Sequence, residues 1–147
     1  MSKSILVLNG PNLNRLGQRE PEIYGTLTLE EVNARIGQRG AQLGVMVECA
    51  QSNHEGVLID KLHGAADSAA GVIFNPGALA HTSIALRDAV AGIPIPVIEV
   101  HLSNIYAREP FRRRSVISAA CRGVICGLGV SGYLLALDYL VTLIGDR

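Results

Sequence analysis

Five short apolar runs, each too brief for a helix, recur along this chain with helix-patterned stretches between them, and no other feature limits the fold as strongly. The runs are residues 4–8 (SILVL), 45–49, 71–74, 97–100 and 123–126. Their near-continuous apolar character predicts strands of a parallel sheet covered on both faces. After the first run, Thr28 and Glu31 form a capping box, and Leu29, Val32, Ile36 and Leu43 follow at helical spacing before Gly44 stops the helix. Residues 57–66 and 83–91 give the second and third helices, and a last one runs from Ser131 to Ile144. The order β-α-β-α-β-α-β-loop-β-α predicts one α/β domain over residues 1–147. It should be a flavodoxin-like, doubly wound, five-stranded parallel sheet with helices on both faces. Ligands of such sheets bind outside the carboxyl ends of the strands, so the loops after the strands hold the functional information.

Composition narrows the classes of function. Thirteen Lys and Arg balance thirteen Asp and Glu, and a nucleic-acid or membrane-surface protein would usually carry a basic excess. Cys49, Cys121 and Cys126 contain no CxxC pair, which predicts free thiols in a reducing cytosol and no zinc site. No signal segment is recognisable at the N-terminus. The longest apolar stretch, residues 131–144, is too short to span a membrane and carries Asp138. A cytoplasmic location is therefore expected. Hydrophobic residues make up 48% of the chain, enough to predict some surface buried between subunits.

The loop after the first run, residues 8–25 (LNGPNLNRLGQREPEIYG), is long, polar and rich in Gly, Pro and Asn. Loops of that kind in compact domains are usually functional or disordered. It carries Asn12, Arg19 and Tyr24, and a guanidinium near a phenol favours the phenolate a general base needs. An exposed Arg and a half-buried Tyr would explain the pair equally simply. After the second run, QSNHEG offers His54 and Glu55, which an Asx-type turn into a helix also explains. After the third, FNPGALAHTS places Asn75 at a strand end and His81 before a helix start, an arrangement suited to a hydroxylated anion.

After the fourth run, Glu99 and His101 stand two apart on a strand and so share a face. A carboxylate there can fix the imidazole tautomer and stabilise its protonated form, as a general acid requires. Ser103 and nearby backbone N–H groups can hold a carboxylate. Arg108, Arg112, Arg113 and Arg114 form a basic cluster, which could also be a solvated patch. Gly127, Gly129 and Gly132 spell GxGxxG, but only fifteen residues follow. That leaves no room for the rest of a dinucleotide-binding unit, so a close-packing turn is expected. Together the loops put a Tyr, Asn, His, Glu, Ser and Arg set on one rim, a site for proton transfer on a small, oxygen-rich anion.

These loops, together with the GVICGLGVSGYLLAL ending, resemble those of type II 3-dehydroquinate dehydratases over nearly the full chain. The resemblance implies reversible dehydration of 3-dehydroquinate to 3-dehydroshikimate, in the shikimate pathway of aromatic amino-acid biosynthesis, by anti elimination through an enolate. It implies that Tyr24 takes the proton α to the ketone, with Arg19 favouring its phenolate. Asn12 would hold the water that stabilises the enolate oxygen. His101, oriented by Glu99, would protonate the leaving hydroxyl. Asn75, Ser103 and the backbone of Leu102 and Ser103 would bind the carboxylate, with His81 and Arg112 on the ring hydroxyls. Asp88 would reach a neighbouring subunit's site, Arg108 would support the rim and lid, and the assembly would be a homododecamer of four trimers. No metal or cofactor is implied.

The residues support one part of this independently. The other route to the same dehydration uses a lysine Schiff base, and the only lysines, Lys3 and Lys61, lie at the chain start and in a helix. The rivals are weaker. A small hydrolase would need a GxSxG elbow, a receiver-like domain would need acids where Asn9 and Gly10 stand, and a flavin- or nucleotide-binding module would need a P-loop or a complete Rossmann unit; the alternative kept is a flavodoxin-like module that binds a small anion without catalysis.

Overall fold

The structure, a computed structural model, describes residues 3–18 and 20–145. Along the chain come β1 (Ser4–Asn9), the one-turn helix α1 (Pro21–Tyr24), α2 (Leu29–Leu43), β2 (Met46–Gln51), α3 (Glu55–Ser68) and β3 (Gly71–Asn75). They are followed by α4 (Ile84–Ala91), β4 (Val97–His101), β5 (Gly123–Cys126) and α5 (Ser131–Gly145). The strands form one parallel sheet in the order β2-β1-β3-β4-β5. This is the doubly wound, flavodoxin-like α/β architecture expected from the alternation of runs.

Side chains of successive strand residues point to opposite faces, and each face has its own core. Ile5, Val7, Ile73, Ile98 and Val100 pack against Val32 and Ile36 of α2 and Tyr133, Leu137 and Leu140 of α5. On the other face Leu6, Leu8, Val72, Phe74 and Val97 pack against Leu58 and Leu62 of α3, Leu86 and Val90 of α4, and Ile117. The three central strands are buried at nearly every position, as their sequences predict. The outer strands β2 and β5 are only partly covered, because an edge strand has a neighbour on one side only.

Helix starts follow local chemistry. The Thr28 hydroxyl accepts the Glu31 N–H at 3.2 Å and caps α2. The third helix, expected to start at Thr82 or Ser83, is capped by Ser83, which accepts the Leu86 N–H at 3.0 Å. The GxGxxG segment is a packing device. A Cβ added to Gly132 would meet Val100 Cγ1 at 3.3 Å and Ile125 Cγ2 at 3.5 Å, so α5 lies directly on the sheet there. Among the described residues no helix is long and apolar enough to cross a membrane.

Strand order reverses between β1 and β3, the position where sheets of this kind bind ligands. Asn9 and Asn75 are register partners at that point. The two loops leaving it touch: the Gly10 N–H donates to the Asn75 carbonyl at 2.8 Å. A Cβ on Gly10 would stand 2.6 Å from the Pro76 carbonyl oxygen, so only glycine permits this approach.

Candidate active site

Beside the switch point lies a cleft of about 60 Å³, lined from three strand ends and the long first loop. β1 leads into Asn12, β3 ends in Asn75 and leads to His81, and β4 ends in His101 and leads to Leu102, Ser103, Arg108 and Arg112. Tyr24, at the end of α1, closes the cleft. A wider, open groove of about 920 Å³ adjoins it and shares Tyr24, Leu102, Ser103 and Arg108. The imidazoles and Asn75 line only the smaller cleft.

Glu99 is fully buried beneath His101, its neighbour on the same face of β4. The carboxylate accepts a hydrogen bond from His101 Nε2. Its other oxygen accepts from the Ser118 hydroxyl at 2.8 Å. Burial pushes the Glu99 carboxyl up, but the hydrogen bond and charge of His101 and the hydroxyls of Ser118 and Ser115 outweigh it and hold the group below the usual carboxylate range. Glu99 therefore stays ionised, and His101 Nε2 is committed to it. Any proton that His101 delivers to a ligand leaves from Nδ1.

The Tyr24 hydroxyl accepts a hydrogen bond from an Arg108 guanidinium nitrogen at 2.6 Å. The same guanidinium lies 3.4 Å from the Ser103 hydroxyl and 5.4 Å from the centre of the Tyr24 ring. Arg108 was expected only to support the rim, so its direct hold on the phenol is new. Arg19, expected to do this, lies outside the described residues.

The other polar groups are held as firmly. His81 Nδ1 lies 2.7 Å from the Arg114 carbonyl; a carbonyl only accepts, so Nδ1 donates, and Nε2 of a neutral ring is left to accept from a hydroxyl. The His81 and His101 rings are nearly parallel, with centroids 6.5 Å apart. Arg112 is paired with Glu109. Asn12 takes the left-handed conformation at φ 71°, and its N–H donates to Asn53 Oδ1 at 3.0 Å.

Three residues raised from the sequence lie off the cleft. Asp88, expected to serve a neighbouring subunit's site and not this one, is exposed on α4. Glu55 begins α3, where it accepts the Ser83 hydroxyl at 2.5 Å and ties α3 to α4; His54 is exposed at the same helix start. The turn into α3 is held by the Ser52 hydroxyl, which accepts the His54 N–H at 3.0 Å. Cys121 lies 3.9 Å from Glu99, and burial and that carboxylate push its thiol up to about 12, which makes it a poor nucleophile.

Two participants were not found from sequence. Tyr133 is fully buried and reaches from α5 to Asn75 and Asn9. The only hint was a tyrosine in a largely aliphatic helix, directly after the glycine that seats it on the sheet. Asn53 was not singled out within QSNHEG.

Known proteins resemble the chain across this whole arrangement. The family described as "Dehydroquinase class II" matches residues 3–141. A 3-dehydroquinate dehydratase of Pelotomaculum thermopropionicum is 59% identical over 96% of this chain and 98% of its own. A 3-dehydroquinate dehydratase of Agrobacterium fabrum is 58% identical over 95% and 97%. The crystal structure of a type II dehydroquinase from Propionibacterium acnes superposes with a TM-score of 0.93 at 51% identity, covering 97% of this chain and 98% of that one.

Proposed function

The chain belongs to the class II dehydroquinase family and is an enzyme of it, a hydro-lyase, and from that premise we propose how it acts. It dehydrates 3-dehydroquinate to 3-dehydroshikimate, reversibly, by anti elimination through an enolate. Tyr24, as phenolate, removes the proton α to the ketone. The electron pair moves onto the ketone oxygen, where a water held by Asn12 stabilises it. As the enolate collapses, the C–O bond to the departing hydroxyl breaks, and His101 Nδ1 supplies the proton that makes it water. Glu99 holds the ring through Nε2 both before and after that transfer.

The observation that carries this reading is that two proton-transfer groups line one cleft. One is a phenol oxygen 2.6 Å from a guanidinium; the other is an imidazole bonded to a buried, ionised carboxylate. Asn75, Ser103 and the Leu102 and Ser103 backbone bind the substrate carboxylate, and His81 and Arg112 bind the ring hydroxyls. We assign Arg108 to the phenolate, the role that the family resemblance gives to Arg19. The cleft of about 60 Å³ opens onto the wider groove that shares Tyr24, Leu102, Ser103 and Arg108 with it, and substrate enters from there.

The enzyme works in the cytoplasm, in the shikimate pathway to aromatic amino acids, as a dodecamer of four trimers in which Asp88 reaches a neighbour's site. It uses no metal or cofactor, because every step has a side chain to carry it. The direct test is to mix the pure protein with 3-dehydroquinate and follow the ultraviolet absorbance of the conjugated enone. Absorbance that does not rise above the protein-free control would refute the reading.

A further inference from the structure

We propose that Tyr133 is a positioning residue for substrate binding: its buried hydroxyl sets which way the Asn75 amide faces the cleft. This rests on the reading that Asn75 binds the substrate carboxylate. The direction of the Asn75 bonds follows from one group. The Gly77 backbone N–H can only donate, and it donates to Asn75 Oδ1 at 3.1 Å. Asn75 Nδ2 must therefore face Tyr133, and it donates to the phenol oxygen at 2.9 Å. The phenol keeps its own proton to give, and it donates to Asn9 Oδ1 at 2.6 Å. The second Nδ2–H of Asn75 remains to donate to an anion in the cleft it lines. A reversed amide would present its carbonyl oxygen to that anion instead.

Three facts show that the network is built for orientation. Tyr133, Asn9 and Asn75 are exposed by 0%, 0% and 3%, so water does not compete for these bonds. Burial, assisted by Cys49 and only partly opposed by the Asn75 hydrogen bond, pushes the Tyr133 phenol well above its usual range. It keeps its proton at any working pH. Asn9 Nδ2 has no partner among the described residues. Asn9 turns its carbonyl, and not its amide nitrogen, to Tyr133. The ring itself is fixed by the seat of α5 on the sheet at Gly132.

The test compares kcat and KM for 3-dehydroquinate in the wild type, Tyr133→Phe, Asn9→Ala, Asn75→Ala and Tyr133→Phe/Asn75→Ala. Tyr133→Phe keeps the packing and removes only the hydroxyl. Asn9→Ala removes the hydroxyl's acceptor together with the unpaired donor, so it decides the matter if Tyr133→Phe does not fold. Both single variants should raise KM about tenfold while kcat moves less than about threefold. The double variant should be no worse than Asn75→Ala, because Tyr133 acts through that amide. A lowered melting temperature with unchanged KM would mean a structural role only and would overturn the inference. So would effects of Tyr133→Phe and Asn75→Ala that multiply. An active wild type with an unaltered Tyr133→Phe would sink this inference alone, whereas an inactive wild type would remove the functional reading and this inference with it.

Discussion

At the scale of single residues, the chemistry rests on two charge-assisted contacts. Arg108 holds the Tyr24 phenol, and Glu99 holds the His101 imidazole. Tyr24→Phe keeps the ring and removes the base, so turnover should fall by about 10²–10⁴-fold or more. Arg108→Ala should also lower turnover, because the phenol loses the guanidinium that holds it. Steady-state turnover of both variants checks this, and an Arg108→Ala enzyme with unchanged turnover would separate Arg108 from the base. Glu99 makes a second, thermodynamic prediction. Its carboxyl titrates below the ordinary 4.5 in the folded protein. A depressed acid stabilises the fold above its ordinary value, and that stabilisation is lost as pH falls from there through the folded value. Glu99→Gln should therefore flatten the acid limb of stability. Denaturant midpoints measured from neutral pH downward would read it, and an unchanged slope would contradict the assignment.

At the scale of elements, the glycines separate close approach from open surface. Gly10→Ala puts a Cβ 2.6 Å from the Pro76 carbonyl oxygen and forces apart the loops that carry Asn12 and Asn75. It should cost about 1–3 kcal/mol and lower turnover with it. Gly37→Ala in α2 meets nothing within 4 Å, and there alanine should stabilise by about 0.4–1 kcal/mol. Urea midpoints for the two variants should move in opposite directions. The elements themselves were largely legible in the sequence, because β1, β3 and β4 are buried on both faces and their runs are apolar throughout. Boundaries shifted at helix ends, as in α3, which spans Glu55–Ser68 where 57–66 was expected. The one-turn helix α1 was not foreseen: four residues show no periodicity. The rim could be read from strand-end residues such as Asn75 and His101. The Tyr133–Asn9–Asn75 network could not, since it joins residues 124 positions apart whose meeting depends on how α5 seats on the sheet. The hold of Arg108 on Tyr24 escaped for the same reason, 84 positions separating the pair.

At the scale of the whole molecule, several large apolar side chains remain exposed, among them Met46, Ile84 and Phe111, and we expect subunit contacts to cover such surface. Analytical ultracentrifugation should find the proposed dodecamer. Asp88→Ala should weaken substrate binding and assembly together, whereas an exposed carboxylate with no partner subunit would change neither. A monomer that is fully active at assay concentration would refute the shared site. Activity should survive chelators, and borohydride with substrate should leave the protein mass unchanged; a covalent adduct would point to an imine instead. The central claim is that Tyr24 makes an enolate which His101 then resolves, and hydrogen exchange tests it most directly. Unreacted 3-dehydroquinate is recovered from deuterated water after incubation with the wild type, Tyr24→Phe or His101→Ala. His101→Ala should stall elimination yet still exchange one hydrogen α to the ketone, while Tyr24→Phe should do neither. Exchange that persists in Tyr24→Phe, or is absent from a folded His101→Ala, would contradict the account.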